Sequence, residues 1–429
     1  MKKLSPAIFF LIAIIGCNTP ERKQDKTLDD IANQYVKLSL KLGQYDTDII
    51  DAYYGPEAWK PEAKEGEDLP YEELKWQTTD LIHKLATIDD MGFGEVELLR
   101  YQFLNKQLQA MRTKLDMLSG KQYPFDVESL RLYDVVAPRT EMYVYDSLLE
   151  KLSEKVPGEG DLSTRYEAYS EAFIIPPDKL DEVFQAALNE SRKKVKEHLD
   201  LPENESFEIE YVKDKPWSAY NWFKGNAQSL IQLNTDHPIY IDRAIDLACH
   251  EGYPGHHVYN VMLEKNLVKG KNWNEFQVYP LFSPQSFIAE GSAIYGVEMA
   301  FNFEERIEFE KNILFPLAGL DPSKVEEYYE IQKLRKGLLA SGIDIARAYL
   351  SHEIDRDTAA KYIMKYLQFS TARAEQRLNY YDRYRSYVIN YTLGEEFVRR
   401  HIEDELDSAH SKWEIFNKIL STPRTASTL

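Results

Sequence analysis

The segment His250-Glu251-Gly252-Tyr253-Pro254-Gly255-His256-His257 constrains the fold of this 429-residue chain more than any other feature. It holds three of the nine histidines and one glutamate, and helical patterns lie on both sides of it. Neutral imidazole and carboxylate are ligands that Zn²⁺ prefers at catalytic sites, where three protein ligands leave a fourth position for water. The segment therefore predicts a metal-binding helix that is interrupted at Pro254.

The interruption decides which histidines can share a metal ion. An H-E-x-x-H helix places two histidines one turn apart, but here the fourth position after His250 is Pro254. On an unbroken helix His257 would lie about 20° from His250, while His256 would point away. The ring of Pro254 would collide with the carbonyl of His250, and a bulge or wide turn at Pro254-Gly255 relieves that collision. Such a turn predicts His256 as the second ligand, with His257 as the alternative.

A third ligand is expected from the helical segment FSPQSFIAEGSAIYGVEMA at 282–300. Its one early carboxylate, Glu290, lies among small and apolar residues. An unpaired charge on a buried face is costly, and a zinc ion would be a partner for it. At such a site Glu251 is expected to act as general base, taking a proton from metal-activated water and passing it to the leaving amine.

Donors for a developing oxyanion are expected from a segment rich in tyrosine and arginine at 372–394. Arg383 in this segment is a candidate for binding a carboxylate of the substrate, because a guanidinium group matches carboxylate geometry. The segment therefore predicts groups that hold a substrate beside the metal.

Two motifs of the chain resemble those of a known family. HEGYPGHH, followed by EGSAIYGVE, is similar to the H-E-x-x-P-G-H-H and E-G-W-A-x-Y-x-E motifs of the bacterial family catalogued as domain of unknown function 885, which is similar to gluzincin metallopeptidases. The stretch at 41–59 also resembles a segment of some members, although Ser292 stands where the family usually has Trp. The resemblance implies a peptidase-like site with ligands His250, His256 and Glu290, the base Glu251, and Tyr391 in a late Tyr-x-x-Gly pattern.

The N-terminus predicts export and a lipid anchor. Lys2 and Lys3 precede an apolar run at 7–15 that is too short to span a bilayer, and IIGC resembles a bacterial lipobox in which Cys17 is lipidated. We therefore expect a lipoprotein of the cell envelope, membrane-anchored and facing the periplasm or the surface. The expected parts are a signal peptide at 1–16, a lipidated tether at 17–27, and a helical zinc-hydrolase-like domain at 28–429. The pattern is compatible with a division of that domain into two lobes, at about 28–200 and 201–429.

Periodicity predicts a mainly α fold: a large helical body with a small β-sheet next to the metal-binding helix and a zincin-like cleft. Apolar spacing predicts helices at 28–42 and 94–118, and another that opens at Pro176-Pro177-Asp178. Alternation predicts strands near Phe207 and at 229–235. If the strand at 229–235 lies at the sheet edge, it could bind an extended peptide by β-addition.

The net charge of the chain and its predicted metal site together limit the functions that the protein can have. The formal charge of -19 argues against nucleic acid as a partner, because phosphate binding needs basic surface. The sequence predicts an exported zinc-dependent hydrolase with one Zn²⁺ per chain that acts on a peptide or small amide and contacts the membrane through its anchor. The alternatives are a zinc amidase for a non-peptide or cell-wall substrate, and a non-catalytic helical lipoprotein that captures ligands.

Overall fold

Amphipathic segments along the sequence form helices that share one hydrophobic core in the computed structural model, which describes residues 23–62, 68–215 and 217–429. The α-helices, in chain order, are α1 (Lys23–Leu42), α2 (Tyr71–Ala86), α3 (Glu95–Leu118), α4 (Phe125–Tyr133), α5 (Met142–Lys155), α6 (Leu162–Ser170), α7 (Leu180–Lys196), α8 (Asp242–Leu247), α9 (His256–Leu263), α10 (Pro284–Ala300), α11 (Phe303–Phe309), α12 (Phe315–Ala318), α13 (Val325–Leu338), α14 (Ser341–Leu350), α15 (Arg356–Leu367), α16 (Thr371–Tyr384), α17 (Ile389–Glu405) and α18 (Lys412–Ser421). The strands are β1 (Ile50–Tyr53), β2 (Ser206–Val212), β3 (Ala219–Gly225), β4 (Gln228–Asn234) and β5 (Val278–Pro280). The prediction of a mainly α fold with a small sheet is confirmed.

The early helices follow their sequence signals closely. Helix α1 ends one residue before Gly43, and α3 ends immediately before Ser119-Gly120. Because α1 begins at Lys23, the last residues of the expected tether at 17–27 are helical. The expected signal peptide at 1–16 and the lipidation site Cys17 lie outside the described residues. Of the helices that the structure describes, none has the length and apolar character needed to cross a membrane.

The three-stranded sheet corrects one expectation. Its strand order is β2-β4-β3, so β4, which contains most of the segment 229–235, is the central strand and not an edge. Strand β4 pairs with β2 in parallel and with β3 antiparallel. The prediction of β4 as a peptide-binding edge is therefore wrong, because both of its ladders are already used. Strand β3 is an edge of this sheet.

The short strands β1 and β5 join distant parts of the chain. They pair antiparallel, with Ile50 opposite Pro280 and Tyr53 opposite Val278. A register shift lies between Ile50 and Ala52, so Asp51 occupies a β-bulge. Bulges are common beside functional sites because they re-aim a side chain. The pairing brings the N-terminal part of the chain next to the start of α10.

Helices α10 and α17 approach each other closely because both carry glycine at the contact. A Cβ atom at Gly291 would lie 2.5 Å from the carbonyl oxygen of Gly394, which leaves no room for any larger residue there. Close-packed interiors tolerate such added volume poorly. Since Gly291 follows Glu290 directly, this packing fixes the position of the Glu290 backbone.

Candidate metal centre

The predicted interruption of the metal helix is a wide turn. Helix α8 continues into a π-helical turn at Ala248–Gly252, and α9 starts anew at His256. The N–H of Tyr253 donates to the carbonyl of Ala248 at 3.1 Å, and that of Gly255 donates to Cys249 at 2.9 Å. These hydrogen bonds span five and six residues instead of four, so the chain gains the extra length that carries His256 back toward His250.

Three side chains meet at this turn with the spacing of metal ligands. His250 Nε2 lies 3.1 Å from His256 Nε2 and 3.3 Å from Glu290 Oε2, and His256 Nε2 lies 3.8 Å from the same oxygen. Ligand atoms at about 2.0–2.1 Å from zinc in tetrahedral geometry lie about 3.3 Å from one another. Of the residues that the structure describes, His250, His256 and Glu290 form the group that could hold an ion.

The surroundings of Glu290 fit a bound cation. Glu290 is 7% exposed, and its Oε2 makes no hydrogen bond within the described part of the chain, which is unfavourable for a buried carboxylate. Its other oxygen, Oε1, accepts a hydrogen bond of 2.8 Å from the Tyr387 hydroxyl. Such a partner orients a metal ligand. The donor set of two imidazoles and one carboxylate matches the ligands of catalytic zinc.

His256 and Glu251 have protonation properties suited to these roles. Burial lowers the pKa of His256 to about 4, so at neutral pH its ring is uncharged and has a lone pair available for a metal. Burial also raises the pKa of Glu251 to about 7; the charge of His250 opposes this shift and that of Glu290 adds to it. A general base works best when its pKa lies near the working pH. The carbonyl of Glu251 is held by the Asn221 amide of β3 at 2.8 Å.

His257, the alternative ligand, has a different role in the structure. It is 0% exposed and does not belong to the group formed by His250, His256 and Glu290. Its Nδ1 lies 2.8 Å from the Ser229 hydroxyl, and its Nε2 lies 3.3 Å from Glu205 Oε2. Burial tends to raise the pKa of Glu205, but hydrogen bonds from His257 and Tyr253 hold it below its usual value. His257 thus belongs to a polar network that joins α9 to the sheet.

This difference predicts opposite phenotypes for the two neighbouring histidines. We expect His257→Ala to lower the free energy of unfolding of metal-free protein by about 2–4 kcal/mol, because it leaves a cavity and removes buried hydrogen bonds. We expect His256→Ala to cost less stability but to abolish tight zinc binding. Urea unfolding and zinc titration of both variants measure this, and equal loss of zinc affinity in both would contradict the assignment.

Asp51 is a site residue that sequence reasoning missed. Its side chain is partly buried at the β-bulge and makes no ion pair within the described part of the chain. Burial, followed by the negative charges of Glu290 and Glu251, raises the pKa of Asp51 to about 8. Asp51 therefore lies within electrostatic range of Glu290 and Glu251, and its raised pKa favours the protonated form at neutral pH. The signal in the sequence was weak, since a four-residue strand has little periodicity.

Tyr391, expected as a catalytic residue, lies in an aromatic cluster beside Glu290. Its ring centre is 5.9 Å from that of Tyr387, and its hydroxyl accepts a hydrogen bond of 3.4 Å from Tyr380. Burial, then the charges of Tyr380 and Glu290, raises its pKa well above the usual value, so the hydroxyl remains a donor. Tyr387, not Tyr391, contacts a candidate ligand directly. A catalytic role for Tyr391 stays a prediction.

Arg383, expected to bind substrate, already has a carboxylate partner. Its Nε and Nη2 donate to the two oxygens of Asp48 at 2.7 and 2.6 Å. Its side chain is half exposed. A bidentate pair of this kind leaves less of the guanidinium available for a second carboxylate. The substrate-binding role of Arg383 stays a prediction, and the other arginines of α16 have no such partner among the described residues.

Comparisons with known proteins support the fold. No family model matches the chain, and no curated protein matches its sequence. A candidate lipoprotein from Colwellia psychrerythraea has a similar structure, with a TM-score of 0.53 and 16% identity, covering 84% of this chain and 62% of its own. A candidate lipoprotein of unknown function from Shewanella oneidensis follows, with a TM-score of 0.48, 13% identity, and coverage of 82% and 71%. An M32 carboxypeptidase from Deinococcus radiodurans R1 has a TM-score of 0.35, 11% identity, and coverage of 92% and 88%.

The structural match to the Colwellia protein shows the fold of this chain and nothing about its activity. The chain spans less than two thirds of the length of the Colwellia protein, and at this identity the match shows a shared fold alone. The two weaker matches carry no argument about this chain. The resemblance to the family of domain of unknown function 885 therefore rests on the sequence motifs.

Proposed function

We propose that this protein is a zinc-dependent hydrolase that cleaves an amide bond, most readily in a peptide. The observation that carries the proposal is the spacing of His250 Nε2, His256 Nε2 and Glu290 Oε2, within 4.8 Å of one another and next to Glu251. A zinc ion held there would supply Lewis acidity toward water and the scissile carbonyl. Three protein ligands leave the open position that this chemistry needs.

The residues around the ligands have separate tasks. Glu251 accepts the proton of the attacking water and returns it to the leaving nitrogen, a transfer that typically contributes about 10²–10⁴ in rate. Tyr387 holds Glu290 in place through its hydrogen bond. The hydroxyls of Tyr380 and Tyr391 are the nearby neutral donors that can stabilise charge on the carbonyl oxygen.

The edge strand β3 is suited to align an extended substrate. It pairs with β4 on one side, and in the part of the chain that the structure describes no strand forms a backbone ladder on its other side. Asn221 of β3 anchors the strand to the backbone of Glu251. A peptide that added to this edge would run beside the metal ligands. This replaces the central strand β4 as the candidate for β-addition.

A cell-wall or other glycan-bearing amide is a second candidate substrate, favoured by one observation. Trp217, Tyr220 and Trp222 form a row on and next to β3, with ring centres 5.5 and 4.7 Å apart. Trp222 is 41% exposed. Exposed aromatic faces offer apolar contact with a polar rim, which suits a sugar ring as well as a peptide. Parallel screens of peptides and wall fragments separate the two substrates.

Metal analysis tests the proposed function. We expect purified protein to hold one zinc ion per chain. The variant His250→Ala should lose its zinc during purification, because only two protein ligands remain. The exposed His237 serves as a matched control, and His237→Ala should keep its zinc. Mass spectrometry of metal content measures both. Protein without stoichiometric zinc, together with unchanged hydrolysis in His250→Ala, would overturn the proposal.

The proposed location follows from the sequence start. We propose that Cys17 is lipidated and that the chain is held at a membrane of the cell envelope. Labelling with a radioactive fatty acid, compared between the wild type and Cys17→Ser, tests the anchor independently of the catalytic site.

A further inference from the structure

Two arginines of α16 have no carboxylate partner among the residues that the structure describes. Arg373 and Arg377 are one helical turn apart, and Tyr380 lies on the same face of the helix. The guanidinium carbons of both arginines lie over the ring of Phe369, at 4.4 and 5.8 Å from its centre. Within the described ranges, neither has an acidic group within 4.0 Å. Stacking on an aromatic ring orients these cations but does not neutralise them.

Two further arginines from other helices lie close enough for their charges to act on Arg373. Arg335 of α13 donates to the Tyr166 hydroxyl at 2.6 Å and has no carboxylate partner in the described residues. Arg243 of α8 lies 3.5 Å from Asp246, but Asp246 is already bound by Arg306 at 2.8 Å. We call Arg243, Arg335, Arg373 and Arg377 the arginine cluster. The surroundings lower the pKa of Arg373, first through burial and then through the positive charges of Arg335, Arg377 and Arg243.

Arginines without close carboxylate partners are unexpected in a chain with an excess of acidic residues. Acidic residues outnumber basic ones by 71 to 52, so carboxylate partners are plentiful. Like charges held near one another cost free energy unless an anion joins them. Arg373 as a whole residue is exposed and Arg377 is partly so, although neighbouring protein partly desolvates the Arg373 guanidinium, so a ligand can still reach the donors of both.

The cluster lies next to the metal centre. Arg243 precedes His250 by seven residues, a rise of about 10 Å along the helix axis. The guanidinium carbon of Arg377 lies 5.4 Å from the ring centre of Tyr380, and the Tyr380 hydroxyl donates to that of Tyr391 at 3.4 Å. The ring of Tyr391 lies next to that of Tyr387, whose hydroxyl binds Glu290. At about 3.3–3.6 Å per extended residue, a substrate needs one to three residues to bridge this gap.

From this arrangement we infer that the arginine cluster binds a carboxylate group of the substrate, one to three residues from the scissile bond. The carboxylate could be the C-terminus of a peptide or an acidic side chain, since guanidinium groups bind both in the same way. The inference names a substrate feature that the proposed hydrolase would recognise, and it rests on that proposed function. It assigns substrate recognition to Arg373 and Arg377, which lie on the same helix as Arg383.

Binding of a matched peptide series tests the inference without requiring catalysis. The probes are penta-alanine with a free C-terminus, its C-terminal amide, and amides with one glutamate at each position, titrated calorimetrically into zinc-loaded Glu251→Gln protein. We expect the carboxylate-bearing peptides to bind about tenfold or more tightly than the plain amide, as for a charge-assisted hydrogen bond. Preference for the free C-terminus or for a glutamate position tells which carboxylate is recognised.

Arginine variants test whether the arginine cluster causes the preference for carboxylate-bearing peptides. Arg373→Gln/Arg377→Gln should erase the preference for carboxylate peptides, whereas Arg400→Gln on the exposed face of α17 should retain it. A preference that survives the double substitution, or equal binding of all peptides, or no binding of any peptide, would overturn the inference. Carboxylate-selective binding without hydrolysis by the wild type would preserve the inference and refute the proposed hydrolase function.

Discussion

Replacing Glu251 with glutamine is expected to lower amide hydrolysis by a factor of about 10²–10⁴, the usual contribution of a general base. Glutamine keeps the size of the side chain but cannot accept the proton of the attacking water. Because Glu251 is not one of the three grouped ligand atoms, zinc content should remain near one per chain. Steady-state rates and metal content of the same protein preparation give both numbers.

A matched control makes this result specific. Glu403, an exposed acid of α17, undergoes the same chemical change in Glu403→Gln and should leave the rate unaltered. If Glu251→Gln hydrolyses its substrate as fast as the wild type, the assignment of the base fails. If it also leaves ligand binding and every phenotype intact, the alternative of a non-catalytic lipoprotein gains support.

The second large effect is expected at Gly255. Its backbone has φ -73° and ψ -136°, and a Cβ atom there would overlap the carbonyl oxygens of His250 and Cys249. Gly255→Ala must therefore open the turn that returns His256 to His250. We expect zinc affinity to fall about 10- to 100-fold or more, in the range seen when groups that orient a ligand are lost. The metal-free protein should lose about 1–3 kcal/mol of stability from the overpacking.

Gly337→Ala is the control for this substitution. Gly337 lies in α13, where an added Cβ would meet only the flexible side chain of Leu148 at 3.2 Å. Alanine in a helix is favourable by about 0.5–1 kcal/mol relative to glycine. Zinc affinity should be unchanged in Gly337→Ala, and a Gly255→Ala protein that binds zinc as tightly would show that the turn does not position His256.

The local parts of this architecture could be predicted from the sequence, and the long-range parts could not. The proline collision at Pro254 predicts the wide turn from eight residues, because the clash is a matter of local geometry. The choice of His256 over His257 also follows from the length of that turn. Strand β3 was missed, since its sequence AYNWFKG does not alternate clearly between apolar and polar residues.

The missed site residues depend on contacts between distant segments. Asp51 comes within electrostatic range of Glu290 and Glu251 because Ile50 pairs with Pro280, which no local pattern encodes. Arg383 and Arg377 are arginines of the same helix, but Asp48 binds Arg383 and not Arg377. A single sequence does not show that pairing. Tyr387 likewise meets Glu290 only through the packing of α10 on the segment before α17.

The pairing of β1 with β5 has a consequence for synthesis of the protein. Asp51 is synthesised before the histidines, which follow some two hundred residues later, and Tyr387 is synthesised after them. Contacts between residues so far apart form late in folding, because a long loop must close first. A nascent chain that already carries HEGYPGHH thus lacks the groups that orient Glu290 and surround the ligands. We expect the growing chain to acquire a competent centre only after Tyr387 has been added.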